Sequence, residues 1–512
     1  MHQIRILPQK KTVSSDPGLS LMEALMRQGI FLRSDCGGKG SCKKCKVAIQ
    51  LPDSSFRSVD ACQCRVDRDL TLTIPEASLP PAFIMDKATL SFPEAFLAQT
   101  NPTAPRLPFG AAVDLGTTTI AIYLCSLSQR QVISSIAIKN PQSMYGADVM
   151  SRISAVAENA GYLSSLQHLT VKAIEWGVKK LLGEADAGVD FISKMVVVGN
   201  PTMIHLFTGT DPAPIGIAPY QPAFREARCI SSKGFGFDMP CFQVQTLPNP
   251  GGFLGGDILA AALAADMKHL PDGTLLADLG TNGELMLKHG QGLSATSCAT
   301  GPAFEGAALS CGIQAVPGAI NGVDIDDAGH VTGLSMVGTG SHLKPAGICG
   351  AGVVDAVAKF CIRGVVRPDG GFASGLNRYV LVPENPETGQ APIYLSQKDI
   401  RSVQLGKSAL KTGMAFLLKK AGLVQPKSLI IAGAFGTYLS VADMLRLGMI
   451  PDMPQEAIRS AGNLAGAGAV MALCDPSYVD EAVHMADRLQ TLDLACDMAF
   501  QEAFVENLRF PE

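Results

Sequence analysis

Residues 110–119 read GAAVDLGTTT and residues 273–284 read GTLLADLGTNGE. In each stretch an apolar run delivers Asp, then Gly, then Thr. Asp114 and Asp278 lie 164 positions apart, and a second apolar run follows each turn, IAIYLCSL and LMLKHG. A strand–turn–strand unit used twice predicts two related halves. Each turn has a chemical logic. A buried strand brings Asp to its C-terminal end. Gly removes the Cβ that would block a phosphate, and the following amides and Thr hydroxyls can donate to phosphate oxygens. The Asp can hold Mg²⁺ through its waters. Two such turns facing each other across a cleft would clamp a polyphosphate, whereas one alone is an ordinary turn.

Strand and helix patterns alternate from Gly110 onward, which argues for α/β architecture. SKMVVVGN (193–200) and SLIIAGAFG (428–436) read as further strands. LSSLQHLTVKAIEWGVKKLLG (163–183), GDILAAALAADM (256–267) and RSVQLGKSALKTGMAFLLKKAG (401–422) read as helices. GICGAGVVDAV (347–357) can present a helix N-terminus to an anion or ribose, and IAGAFG (431–436) can lie beside an adenine; both fit close helix–strand packing equally well. Asp278 and Glu284 can polarise an attacking water or simply position Mg²⁺. His205, in GNPTMIH, has no partner visible in the sequence and reads as a packed or surface residue.

The chain has 14 Cys, and five of them fall between Cys36 and Cys64. Cys36 and Cys42 are separated by GGKGS, Cys42 and Cys45 by two lysines, and Cys45 and Cys62 by sixteen residues. A [2Fe–2S] cluster needs four thiolates, three from one tight loop and a fourth from a distant element. Gly37, Gly38 and Gly40 allow that loop to bend closely. The first gap holds five residues where plant-type ferredoxins have four, so the pattern is a variant. On a strand, Cys62 and Cys64 would point the same way, so either can be the fourth ligand. Zinc usually takes two Cys-x-x-Cys pairs or Cys with His, and neither is nearby; inert thiols are the other alternative. Around these cysteines the order of short runs (QIRIL, KTVSS, a helix from Leu19 to Gln28 stopped by Gly29, KCKVAIQ, DLTLTIP) is that of a small β-grasp fold over residues 1–78. Lys39, Lys43, Lys44 and Lys46 are a solvated rim offsetting an anionic cluster, or a docking face for an acidic partner.

Residues 79–109 carry six Pro and four charged residues and read as a linker, with Phe83, Phe92 and Phe96 available to lie against a neighbour. The 512 residues, 47% hydrophobic and 17% charged, exclude disorder and suit about three domains. A net charge of −4 argues against a nucleic-acid partner. No apolar run reaches the roughly 18 residues of a membrane span. The start, MHQIRILPQKK, lacks an apolar leader, so a reducing, cytoplasmic location is expected.

Taken together, CGGKGSCKKCKV with DACQ, VDLGTTT, NPQSMYGADVMSRI, GNPTMIHL, ADLGTNGE, TGPAFEGA, GICGAGVVDA and AGAFGTYL resemble the reductive activators of corrinoid proteins. The resemblance implies a β-grasp [2Fe–2S] ferredoxin domain (1–78), a Pro-rich linker (79–109), and a duplicated actin-like, ribonuclease H-like ATPase of the sugar kinase/actin/chaperone superfamily. That ATPase would span 110–512, with halves of approximately 110–270 and 271–512. It implies ATP-dependent one-electron reduction of a cob(II)alamin-type cofactor to cob(I) on a corrinoid protein of a methyltransferase system, fed by a low-potential donor. A homodimer is compatible with it. Cluster ligands carry over to Cys36, Cys42, Cys45 and Cys62; members usually have Thr where Cys64 stands. The phosphate motifs carry over to Asp114, Gly116, Thr117 and Thr118, and to Asp278, Gly280, Thr281 and Asn282, and the adenosine motif to Gly433 and Gly436. Longer members have a further module where this chain has only the Pro-rich segment, which bears on dimer arrangement and docking and leaves both chemical sites untouched. A plant-type cluster sits near roughly −400 mV, and each shortfall of about 59 mV costs a one-electron transfer a factor of ten. Coupling to ATP therefore has a purpose. The alternatives are a small-molecule kinase, an activator of a radical dehydratase, and a nucleotide-binding redox sensor without turnover.

Overall fold

The computed structural model describes all residues except 9, 35–37, 39, 41–42, 80–89, 291, 307–308, 340–342, 374, 434–438 and 495–496. The N-terminal sheet is built from β1 (His2–Leu7), β2 (Lys11–Ser15), β3 (Lys46–Gln50), β4 (Phe56–Asp60) and β5 (Leu70–Thr73), in the order β2-β1-β5-β3-β4. β1 pairs antiparallel with β2 and parallel with β5, as the β-grasp reading requires. Helix α1 (Leu21–Arg27) begins where the Ser20 hydroxyl accepts from the Glu23 amide, and Gly29 follows it at φ +72°. It buries Leu21, Met22, Ala24, Leu25 and Met26. β4 was not expected. Its sequence, FRSVD, has no alternation because the strand lies at the sheet edge with three exposed residues.

In the Pro-rich segment a short helix, α2 (Glu94–Leu97), buries Phe96 edge-on against Tyr478 at 6.2 Å. The Gln129 amide donates to the carbonyls of Pro102 and Ala104. This part of the segment therefore packs on its neighbour; Phe83 lies outside the described residues.

The next sheet contains β6 (Phe109–Leu115), β7 (Thr119–Ser126) and β8 (Gln131–Lys139). Helices α3 (Val149–Glu158) and α4 (Gly161–Glu184) follow, then β9 (Ile192–Gly199), α5 (Pro201–Thr208), β10 (Cys229–Ser231), β11 (Gln243–Thr246) and α6 (Gly256–Ala264). Its order is β10-β11-β9-β6-β7-β8. The second large sheet starts with β12 (Thr274–Leu279), β13 (Gly283–His289) and β14 (Gly292–Cys298). An insertion follows: β15 (Ala319–Ile325), β16 (Val331–Met336), β17 (Gly347–Ile348), α7 (Gly350–Ile362), β18 (Arg378–Val382) and β19 (Ile393–Ser396). Then come α8 (Gln397–Lys420), β20 (Ser428–Ala432), α9 (Val441–Leu447), β21 (Ile458–Ser460), α10 (Leu464–Cys474), α11 (Ser477–Arg488), β22 (Gln490–Thr491) and α12 (Met498–Glu506). The order is β21-β20-β12-β13-β14-β22.

The duplication is visible in the pairing. β6-β7-β8 and β12-β13-β14 are both antiparallel meanders. Each first strand then pairs parallel with a later one, β9 or β20, and that strand pairs parallel with β11 or β21. Two compact units result. One gathers Met1–Lys87, Ala95–Asp257 and Ala469–Asp480; the other gathers Ala88–Glu94, Ile258–Gly468 and Glu481–Glu512. In the first unit a single apolar core runs from the β-grasp residues Ile4, Leu25 and Phe31 through to α4 and β9.

Candidate functional site

The cysteine site is read from the residues that flank it, since Cys36, Cys42, Gly37 and Lys39 lie outside the described residues. Cys45 is buried, and its carbonyl accepts from the Ala61 amide at 2.9 Å. That bond brings the turn 61–63 beside the loop. Gln63 then donates from its amide to the Gly38 carbonyl at 3.0 Å and to Cys62 Sγ at 3.5 Å. Gly38 and Gly40 have φ of +86° and +77°, and a Cβ on Gly40 would stand 2.9 Å from Gln63 Cδ. Gly38 and Gly40 therefore give the close backbone approach that a thiolate-bound cluster needs. Residues 61–63 form a turn, so strand parity does not apply to Cys62 and Cys64. Cys62 shares Gln63 with the loop, whereas Cys64 lines a surface pocket of about 310 Å³ with Arg57 and Arg68. Lys43 pairs with Asp60 at 2.8 Å, and this partner holds its ammonium above the usual lysine range.

The first Asp-Leu-Gly-Thr turn, a candidate for phosphate, follows β6. The Asn140 side-chain amide donates to the Gly116 carbonyl at 2.9 Å, Arg152 Nη2 to the Thr117 carbonyl at 2.6 Å, and the Asn140 backbone amide to the Thr118 carbonyl at 2.8 Å. Three successive carbonyls are thus held from one side. In a planar trans peptide the N–H points opposite to the C=O, so the Thr117 and Thr118 amides face the other way. A Cβ on Gly116 would stand 2.6 Å from the Thr119 carbonyl, so no larger residue fits. Asn200, the N-cap of α5, donates to the Thr117 hydroxyl at 3.1 Å. Arg152 is fully buried; it also donates to the Gly146 carbonyl and the Gln142 side chain.

The second turn follows β12. The Thr300 hydroxyl donates towards the carbonyls of Gly280 and Thr281 at 3.3 and 3.0 Å. The Thr281 hydroxyl in turn donates to Glu305 Oε1 at 2.8 Å. Asp278 and Glu284 are direct cross-strand partners, which puts their side chains on one face, and Glu284 accepts from the Ser297 hydroxyl. Gly433, at φ +91°, backs this turn: its Cβ would stand 2.3 Å from the Leu279 carbonyl and 2.8 Å from Asp278 Oδ1. Gly436 lies outside the described residues.

Of the open alternatives, the glycines of GICGAGV serve packing. A Cβ on Gly350 would be 1.6 Å from the Phe304 carbonyl, and one on Gly352 would be 2.2 Å from that of Ile320. His205 is packed and does have partners: Nδ1 lies 2.7 Å from the Pro201 carbonyl, Nε2 accepts from the Ala223 amide, and the ring stacks on Phe224. Burial lowers its pKa. Sequence reading missed Asn140, Arg152, Asn200, Thr300 and Glu305. The shared pattern of a proline-led turn soon after the third strand, Asn140-Pro141 and Gly301-Pro302, was the available signal.

The fold and these sites define an iron–sulfur ferredoxin module joined to an actin-like ATPase module. Family models agree along the chain. The 2Fe-2S iron-sulfur cluster binding domain matches residues 4–67, the RACo middle region 109–270, and the C-terminal, ASKHA domain of RACo 272–512. The chain belongs to the family of reductive activators of corrinoid proteins. It is 29% identical to the corrinoid activation enzyme RamQ of Eubacterium limosum, over 94% of each chain. It is 24% identical to a Co(II) methylated amine-specific corrinoid protein reductase of Methanosarcina barkeri, over 77% of this chain and 75% of that one. The solved structure of a reductive activator for a corrinoid, iron–sulfur protein matches 100% of this chain and 99% of its own, at 26% identity and a TM-score of 0.73. Among the described residues, no helix is long and apolar enough to cross a membrane.

Proposed function

We propose that this protein uses ATP to drive one-electron reduction of a cob(II)alamin-type cofactor to cob(I) on a corrinoid protein of a methyltransferase system. What supports the reading is the presence, in one chain, of the Cys-rich segment 36–62 and of two Asp-Leu-Gly-Thr turns that each end a buried strand. The corrinoid specificity rests on the relatives, whose names state it. Cys36, Cys42, Cys45 and Cys62 would hold a [2Fe–2S] cluster; when bound, it supplies a single low-potential electron, replenished by an upstream donor. The Thr117 and Thr118 amides receive phosphate oxygens. Gly280, Thr281 and Asn282 form the corresponding phosphate-binding turn. Asp114 and Asp278 hold the waters of Mg²⁺, and Glu284 orients water for hydrolysis. Gly433 and Gly436 belong to the adenosine side. The work ATP can contribute is limited by how differently two states of the activator bind the corrinoid protein, so hydrolysis gates docking. The domain division is residues 1–78, 79–109 and 110–512.

The test is anaerobic mixing with a cob(II) corrinoid protein, with and without ATP, read from the cobalt absorption spectrum. Asp278→Ala is expected to keep its iron content and lose ATP-stimulated cobalt reduction by about a hundredfold or more. Undiminished stimulation in that variant sinks the proposal.

A further inference from the structure

β8 ends at Lys139, Asn140 follows it, and these neighbours anchor different things. Asn140 holds the carbonyls of Gly116 and Thr118 in the first phosphate turn. Lys139 Nζ instead donates to the Ser34 carbonyl of the β-grasp domain at 2.9 Å. Ser34 is tied in turn to the cysteine loop, because its hydroxyl accepts from the Gly38 amide at 2.9 Å. The segment that follows repeats the arrangement. Met144 lies beside Gly38, within 3.7 Å of where its Cβ would be. The Tyr145 hydroxyl donates to Glu23 of α1 at 2.6 Å, and Arg152 returns to the Thr117 carbonyl. One stretch of chain, 139–152, thus grips the phosphate turn and the cysteine loop at once.

Further contacts tie the β-grasp domain to α4. Arg27 of α1 donates to both Glu23 and the Ser165 hydroxyl, His168 Nε2 lies 2.7 Å from the Arg27 carbonyl, and Phe31 meets Trp176 edge-on at 6.0 Å. A shared apolar core underlies all of these. Packed elements of this kind shift together rather than deforming gradually.

We propose that Lys139 is a positioning residue that couples the first phosphate turn to the cysteine loop, so that nucleotide occupancy and cluster oxidation state alter each other's equilibrium. The inference rests on the function proposed above and adds the route and its sign-independent consequence. Coupling between two ligands is reciprocal. If nucleotide binds the oxidised and reduced proteins with affinities differing tenfold, the potential must move by about 59 mV on nucleotide binding.

The experiment uses the full chain carrying its cluster, with Mg·ATP analogue (the non-hydrolysable imidotriphosphate) as probe. Three quantities are read: the cluster's visible circular dichroism, its midpoint potential with and without the probe, and the probe's affinity by calorimetry in both oxidation states. Wild type is expected to show a nucleotide-dependent change in dichroism and a ratio of affinities near tenfold. Lys139→Met should retain iron content and probe binding while that ratio falls towards one, and Lys139→Arg should restore it. Tyr145→Phe, a milder change at the same seam, should lower the ratio part of the way. An unchanged ratio in Lys139→Met, or a wild-type cluster indifferent to bound probe, overturns the coupling and leaves the proposed activity standing. Absence of probe binding in wild type would overturn both.

Discussion

The two Asp-Leu-Gly-Thr turns each join an antiparallel strand pair and differ in what stands behind them. In the first, Arg152, a buried guanidinium, and the Asn140 amide hold the carbonyls, and Asp114 faces Ala121 across the strand pair. In the second, an uncharged Thr300 hydroxyl does the holding, the Thr281 hydroxyl is turned onto Glu305, and Asp278 faces Glu284. Duplication has kept the strand pairing and let the surroundings of the turn part. A cation behind a turn favours an anion in front of it. A group of carboxylates favours a hydrated divalent cation and can orient a water. On the proposed function, the first turn is chiefly for holding nucleotide and the second for hydrolysing it.

The largest effect is expected at Arg152. Arg152→Met strips charged donors from the Thr117 and Gly146 carbonyls. A loss of about 3 kcal/mol in unfolding free energy follows from one or two such bonds, measurable by urea denaturation. Affinity for Mg·ATP should fall by about tenfold or more in the same preparation. Glu305→Gln comes next. It keeps an acceptor for the Thr281 hydroxyl and removes a charge, so turnover should drop by about a hundredfold while nucleotide affinity stays nearly constant. If affinity fell and turnover did not, the contrast between the turns would be broken. Thr300→Val is the mildest. It removes one hydroxyl shared by two carbonyls and should cost about 1 kcal/mol, seen as a small fall in thermal midpoint with the first turn's affinity untouched.

The local signals in the sequence carried a long way. DLGT after an apolar run announced both turns, because strand periodicity and a glycine's lack of Cβ are written in neighbouring residues. Cysteine spacing marked the loop for the same reason. What stayed hidden was long-range. Arg152 sits 35 residues from the carbonyl it holds, within an ordinary amphipathic helix. Glu305 lies 24 residues from the Thr281 hydroxyl it accepts from, and no local pattern joins the two. Edge strand β4 had no apolar alternation to reveal it. The glycines of GICGAGV left two readings equally open. Their composition suits a ligand loop, and only the nearness of the Phe304 and Ile320 carbonyls shows them serving backbone approach.

The chain has a single tryptophan, Trp176, and it stands where α4 meets Phe31 of the β-grasp domain. The protein therefore carries one native indole, located where the β-grasp domain meets α4. Its emission reports on that boundary with no background from other indoles and no attached label.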